Sequence, residues 1–224
     1  MLSFYLSVIG EISQKKEIAI YILGESNSGG TALNSNAQPS EISRNSNIKI
    51  VNNTTLFFED LQIEGTISQG KNNTIDHFGF APNEQWHGIE LQLLARADEF
   101  QLPVYLVKCG QGGSIISQWN DGGSYDLKFE ERLAAAESYW AANTITPEIY
   151  VFISIGINDK VAATDPATFN TQLTEWIGRV YTQTGATKIF ITTFDGGIGG
   201  NMSAYNAEII NVANSLSYLN RINR

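Results

Sequence analysis

Four apolar runs constrain this chain more than any other feature: 17–24 (Glu-Ile-Ala-Ile-Tyr-Ile-Leu-Gly), 103–108 (Pro-Val-Tyr-Leu-Val-Lys), 148–156 (Glu-Ile-Tyr-Val-Phe-Ile-Ser-Ile-Gly) and 188–194 (Lys-Ile-Phe-Ile-Thr-Thr-Phe). Each closes in a Gly-rich or polar turn. Their apolarity is continuous rather than alternating, and rich in Ile, Val, Phe and Tyr, the pattern of strands buried on both faces of a parallel sheet. A half-solvated antiparallel sheet would alternate instead.

Helix-like segments separate the runs. Residues 83–100 place Trp86, Ile89, Leu93, Leu94 and Ala97 near helical spacing. Residues 126–143 are Ala- and Glu-rich, with Leu127, Leu133 and Trp140 apolar. Asp165-Pro166 supplies an N-cap and first-turn pair ahead of a helix over 167–181. A last candidate spans 201–219, with Ile209, Val212, Ala213 and Leu216 on one face. Strands alternating with helices predict a single three-layer α/β/α sandwich with a mainly parallel sheet over residues 1–224. The Asn/Ser/Thr/Gly-rich stretch 27–73, with short β-like pieces at 48–51 and 55–58, reads as a long excursion after the first strand. Residues 1–16 read as a leader or a peripheral strand; no basic residue precedes the apolar opening and no small-x-small cleavage pattern follows it.

Composition narrows the function. The chain is 42% hydrophobic and 17% charged, with a formal net charge of −9. No basic stripe is present to meet a nucleic-acid backbone or an anionic membrane, and no run approaches membrane-span length. The single cysteine, Cys109, excludes an internal disulfide and a Cys-rich zinc site, and reads as a buried thiol. No metal or cofactor is expected. The compartment stays open between cytoplasmic and secreted.

Three turns carry the chemistry. The first, Gly24-Glu-Ser-Asn-Ser-Gly-Gly30, follows the first run, and a serine at the carboxyl end of a parallel strand faces the crevice where open α/β sheets bind ligands. Ser26 is the candidate nucleophile. The second, Lys108-Cys-Gly-Gln-Gly-Gly-Ser114, offers flexible backbone N–H groups to a developing oxyanion. The third, Gly156-Ile-Asn-Asp159, places the Asn158 amide at the same end of the sheet. Each alone is an ordinary turn; the combination is a nucleophile with an oxyanion hole. The segment 65–71 almost spells a phosphate-binding loop, but Asn72 stands where the magnesium-binding Ser/Thr would be.

Gly-x-Ser-Asn, then Gly-Gly-Ser with a following Trp, then Gly-x-Asn-Asp resembles the motif order of the SGNH (GDSL-like) hydrolases. Within these the chain is most similar to the sialate O-acetylesterase-like carbohydrate esterases, whose pattern the segments 86–90 and 108–119 also resemble. The likeness spans roughly residues 18–213. It implies an SGNH/flavodoxin-like sheet and metal-free hydrolysis of an ester, often acetyl, on a carbohydrate. It implies Ser26 as nucleophile, with an oxyanion hole from the Ser26 N–H, the Gly113 N–H (Gly112 if the turn aligns one residue earlier) and the Asn158 amide. Asn27, Gly112, Ser114, His87 and Asp159 become candidate substrate-facing residues.

The chain departs from the pattern twice. Glu25 replaces the Gln or Asp usual before that serine, and reads as an exposed structural position. The family's Asp-x-x-His block, which supplies the general base, has no counterpart, since the only histidines are His77 and His87. On that ground the C-terminal edge strand and last helix are expected to be missing, leaving the 188–194 strand exposed and open to self-association. A truncated esterase, a non-catalytic relative and a substitute histidine all remain open. His87 reads first as packing or capping; His77 adjoins Asp76, but neighbours in an extended loop point apart. The competing class is a carbohydrate-binding or structural module, with Trp86 and Trp119 as a sugar face.

Overall fold

The computed structural model describes residues 16–29, 32–33, 47–52, 55–61, 63–64, 67–68, 86–87, 93, 100–194 and 200–222. The first run forms β1 (Ile18–Gly24), and the short pieces of the excursion form β2 (Ile48–Val51) and β3 (Phe58–Asp60). The remaining runs form β4 (Val104–Gly110), β5 (Glu148–Ser154) and β6 (Lys188–Thr192), followed by β7 (Leu219–Ile222). The seven strands make one sheet in the order β7-β6-β5-β1-β4-β2-β3. All pairings are parallel except the β2–β3 hairpin at one edge.

Every residue of β1 and β4 is buried, which is why both read as unbroken apolar runs. Ala19, Tyr21 and Leu23 face one core, against buried residues of α2 (Ser124–Asn143), α4 (Pro166–Thr184) and α5 (Ser203–Ser215). Ile18, Ile20 and Ile22 face a second core with Ile48, Ile50, Leu93 and Leu106. Two short helices, α1 (Ser26–Gly29) and α3 (Ile157–Val161), sit directly after β1 and β5. The result is an α/β fold with a mainly parallel sheet, its strands β4-β1-β5-β6-β7 in flavodoxin-like order.

Local chemistry sets the helix ends. The Asp165 carboxylate accepts the Thr168 N–H at 3.0 Å and Pro166 opens α4, as the sequence predicts. Gly185, at φ 63°, closes it in the left-handed conformation. Of the apolar residues noted in the α2 segment, Leu133 and Trp140 are buried and Leu127 is exposed. Of the expected helix over 83–100 only residues 86–87, 93 and 100 are described: Trp86–His87 form a short antiparallel strand instead of a helical turn, and Leu93 is buried.

The β-like piece at 48–51 is a strand with the expected bounds and joins the main sheet, pairing Ile48 with Val104. Three expectations are corrected. The second piece, expected at 55–58, begins at Phe58 rather than Thr55. The C-terminal edge strand is present: β7 pairs in parallel with β6, Ile189 opposite Leu219 and Thr192 opposite Ile222. The strand β6 is therefore interior, with β5 on its other side, and the reason for expecting association along it falls.

Candidate functional site

Register brings the three turns together. Gly24 lies level with Gly110 of β4 and Ser154 of β5, so β1, β4 and β5 end in one row. This row is the carboxyl edge where the chain order switches direction about β1, the usual ligand crevice of such sheets.

The first turn is built on Gly24, at φ 122°. A Cβ there would lie 2.1 Å from the Ser154 carbonyl oxygen, so no side chain fits. The Gln111 N–H donates to Gly24 O and the Glu25 N–H donates to Ser154 O, both at 2.8 Å. These bonds tie the turn to both neighbouring strands. Ser26 follows at the first position of α1, half-buried, and no hydrogen bond engages its hydroxyl among the described residues. Ser28 is different: it is buried, and its hydroxyl donates to Leu23 O at 2.6 Å.

The turn after β4 is stiffened from inside. The Gln111 side chain donates to Gly112 O at 2.9 Å, and the Gln118 side chain accepts the Ile115 N–H at 3.0 Å. Gly113 stands exposed at the tip with φ 77°, its N–H without an intramolecular acceptor among the described residues. Ser114, expected to face substrate, is turned inward: it is 1% exposed, donates to Gln111 O at 2.9 Å and accepts the Trp119 indole N–H at 3.0 Å. Trp119 is fully buried against Trp176 and Tyr125, which removes it as a sugar platform.

The turn after β5 pivots on Gly156, at φ 130°, and delivers Asn158 and Asp159 on α3. Asp159 does not face substrate. It is buried, both carboxylate oxygens accept the Ile116 N–H at 3.1 Å, and the Thr164 hydroxyl donates to it at 3.3 Å. Burial, only partly opposed by these bonds, pushes its carboxyl up to about 6. Asp159 thus ties the β4 turn to α3.

Glu25 is the largest departure from the sequence reading. It is 0% exposed, and its Oε2 accepts both the backbone N–H of Asn158 at 3.2 Å and the Asn158 Nδ2–H at 2.9 Å. The residue before the candidate nucleophile therefore holds the candidate oxyanion donor. The available signal was its place directly after a wholly buried strand.

Ser26, Gly113 and Asn158 accordingly stand at the ends of three adjacent strands, while Ser114 and Asp159 support them from within. Gly112 is half-buried in the same turn, its carbonyl taken by Gln111. The side chains of Asn27, Trp86 and His87, and all of His77, lie outside the described residues. The His87 backbone pairs opposite Ala32 in a two-residue antiparallel ladder. Cys109 is buried as expected, its thiol pushed up to about 12 by desolvation. Among the described residues, no helix is long and apolar enough to cross a membrane.

No protein-family model matches the chain, and no curated protein does. Solved structures are similar in fold. The crystal structure of NanS aligns with TM-score 0.66 and 12% identity, covering 95% of this chain and 78% of that one. A protein from Arabidopsis thaliana aligns with TM-score 0.65 and 16% identity, covering 92% and 84%. An acetyl xylan esterase from Geobacillus stearothermophilus aligns with TM-score 0.46 and 15% identity, covering 90% and 73%. At such identities the first two likenesses define the fold.

Proposed function

We propose that the chain is a serine ester hydrolase that removes acetyl or similar acyl groups from a carbohydrate. The Ser26 hydroxyl attacks the ester carbonyl. The oxyanion receives the Ser26 and Gly113 N–H groups and one Nδ2–H of Asn158, the alcohol leaves, and water releases the acid. One observation supports this reading: Gly24, Gly110 and Ser154 share one register, so the turns that bear Ser26, Gly113 and Asn158 leave the sheet at one edge, with the Asn158 amide anchored on Glu25. The carbohydrate part rests on the motif resemblance to the sialate O-acetylesterase-like branch.

Ser26 also needs a proton acceptor, and the sequence has two histidines to supply it, His77 and His87. The test is acetate release from an aryl acetate and from an acetylated sugar, comparing the chain with Ser26→Ala. Turnover abolished by the substitution supports the esterase, and His87 and His77 are then replaced in turn. Saturable sugar binding indifferent to Ser26→Ala, with no hydrolysis, would establish the non-catalytic module instead.

A further inference from the structure

An asparagine amide is nearly symmetric in shape, but its two ends are opposite in function. With Nδ2 toward the crevice, Asn158 donates to an oxyanion; turned over, it presents Oδ1 and repels one. Something must select the first orientation. The only side-chain hydrogen bond of Asn158 among the described residues runs from Nδ2 to Glu25 Oε2, at 2.9 Å. The same oxygen accepts the Asn158 backbone N–H at 3.2 Å, so the first turn of α3 and the amide are fixed by one atom.

An ionised carboxylate only accepts hydrogen bonds, so it pairs with Nδ2 and excludes Oδ1. A glutamine here would carry both an acceptor and a donor, and would tolerate either orientation. Glu25 is fully buried on the backbone elbow that Gly24 locks between β4 and β5, so the carboxylate cannot swing away. With one Nδ2 hydrogen held by Glu25, the other is left for the crevice.

We infer that Glu25 is a positioning residue that sets Asn158 in its donor orientation, a one-way lock made by a carboxylate. The inference rests on the esterase reading for its consequence in turnover, but the lock itself is a property of two side chains.

The experiment is a double-mutant cycle in kcat on an aryl acetate, with KM followed separately. Asn158→Ala lowers kcat about 10²-fold, the size expected for an oxyanion donor. Glu25→Ala produces a comparable loss with KM unchanged, Glu25→Gln an intermediate one, and neither substitution lowers kcat further once Asn158 is alanine. If Glu25→Ala does not fold, the near-isosteric Glu25→Gln carries the cycle in both backgrounds. Equal effects of the Glu25 substitution with and without Asn158 overturn the lock.

A second readout needs no turnover. In amide-resolved NMR, one Asn158 Hδ2 exchanges more slowly than the other, and Glu25→Gln narrows the difference. Two equally fast Hδ2 hydrogens overturn the lock even in an inactive protein. Absent Ser26-dependent turnover overturns the esterase reading alone.

Discussion

Asp159 and Ile116 join two of the three site turns through a single buried contact: the Ile116 N–H is shared by both Asp159 carboxylate oxygens, each at 3.1 Å. The carboxylate is fully buried and lies beside Thr164. Its proton is held more tightly in the folded chain than in the unfolded one, because burial raises the carboxyl from 3.8 to about 6. The folded state therefore binds more protons between these values, and stability falls as pH rises through that window, then levels off. Asp159→Asn removes this slope. In urea unfolding at pH 4.5 and pH 7.5, the stability of the parent relative to the variant should drop by on the order of 2 kcal/mol at the higher pH. A difference independent of pH would contradict this account.

Gly24→Ala should be the most damaging glycine substitution near the site. Its Cβ would meet Ser154 O at 2.1 Å, and the backbone sits at φ 122°. Strain and clash together should cost at least about 3 kcal/mol and displace Ser26. Gly185→Ala is the contrast: φ is 63° but nothing lies within 4 Å of the new methyl. Only the left-handed backbone is penalised there, about 1 kcal/mol. Thermal melts of the two variants should separate clearly; similar losses would show that the elbow is not sterically closed.

The contrast between β1 and β7 shows what sequence patterning reports. All seven residues of β1 are buried, so its apolarity is unbroken and its ends could be read closely enough to place Ser26. In β7 only Leu219 and Ile222 are buried, and Asn220 and Arg221 lie between them. A search for two-sided apolarity passes over such an edge strand. Glu25 was misread for another reason. A carboxylate beside a Gly/Ser turn signals exposure unless its partner is known, and that partner, Asn158, lies 133 residues away. Trp119 likewise followed motif order, whereas its burial depends on Trp176 in α4.

Arg179 supports the β4 turn from behind. Its Nη2 donates to Asp126 Oδ1 and to the Trp119 carbonyl, both at 2.6 Å. Asp126 is 1% exposed, and burial already raises its carboxyl against the opposing pull of Arg179 and the Gly122 N–H. Arg179→Met would leave that carboxylate without its cation, and losing one partner of a buried pair costs about 3 kcal/mol. Acidification should restore part of the loss, since a protonated Asp126 no longer needs the cation. Asp126→Asn in the Arg179→Met background should restore stability at neutral pH. If the double variant is no more stable than Arg179→Met, the buried charge is not the cause.

Cys109 gives a probe of the same edge without touching any site residue. It pairs in register with Leu23, one residue before the Gly24 elbow, and is fully buried. Burial pushes its thiol up to about 12, with Arg132 pulling weakly the other way. Alkylation requires the thiolate, and at pH 8 a group of that acidity is ionised to only about one part in 10⁴. Access is blocked as well, so iodoacetamide should react only through opening of the sheet, at a rate set by the open population. The native chain should remain unmodified while a denatured sample labels fully. Gly24→Ala should label faster than Gly185→Ala at matched global stability, because its strain falls on the strand beside the thiol. Equal rates in the two variants would mean that Cys109 reports only global unfolding, and rapid labelling of the native chain would contradict its placement in the core.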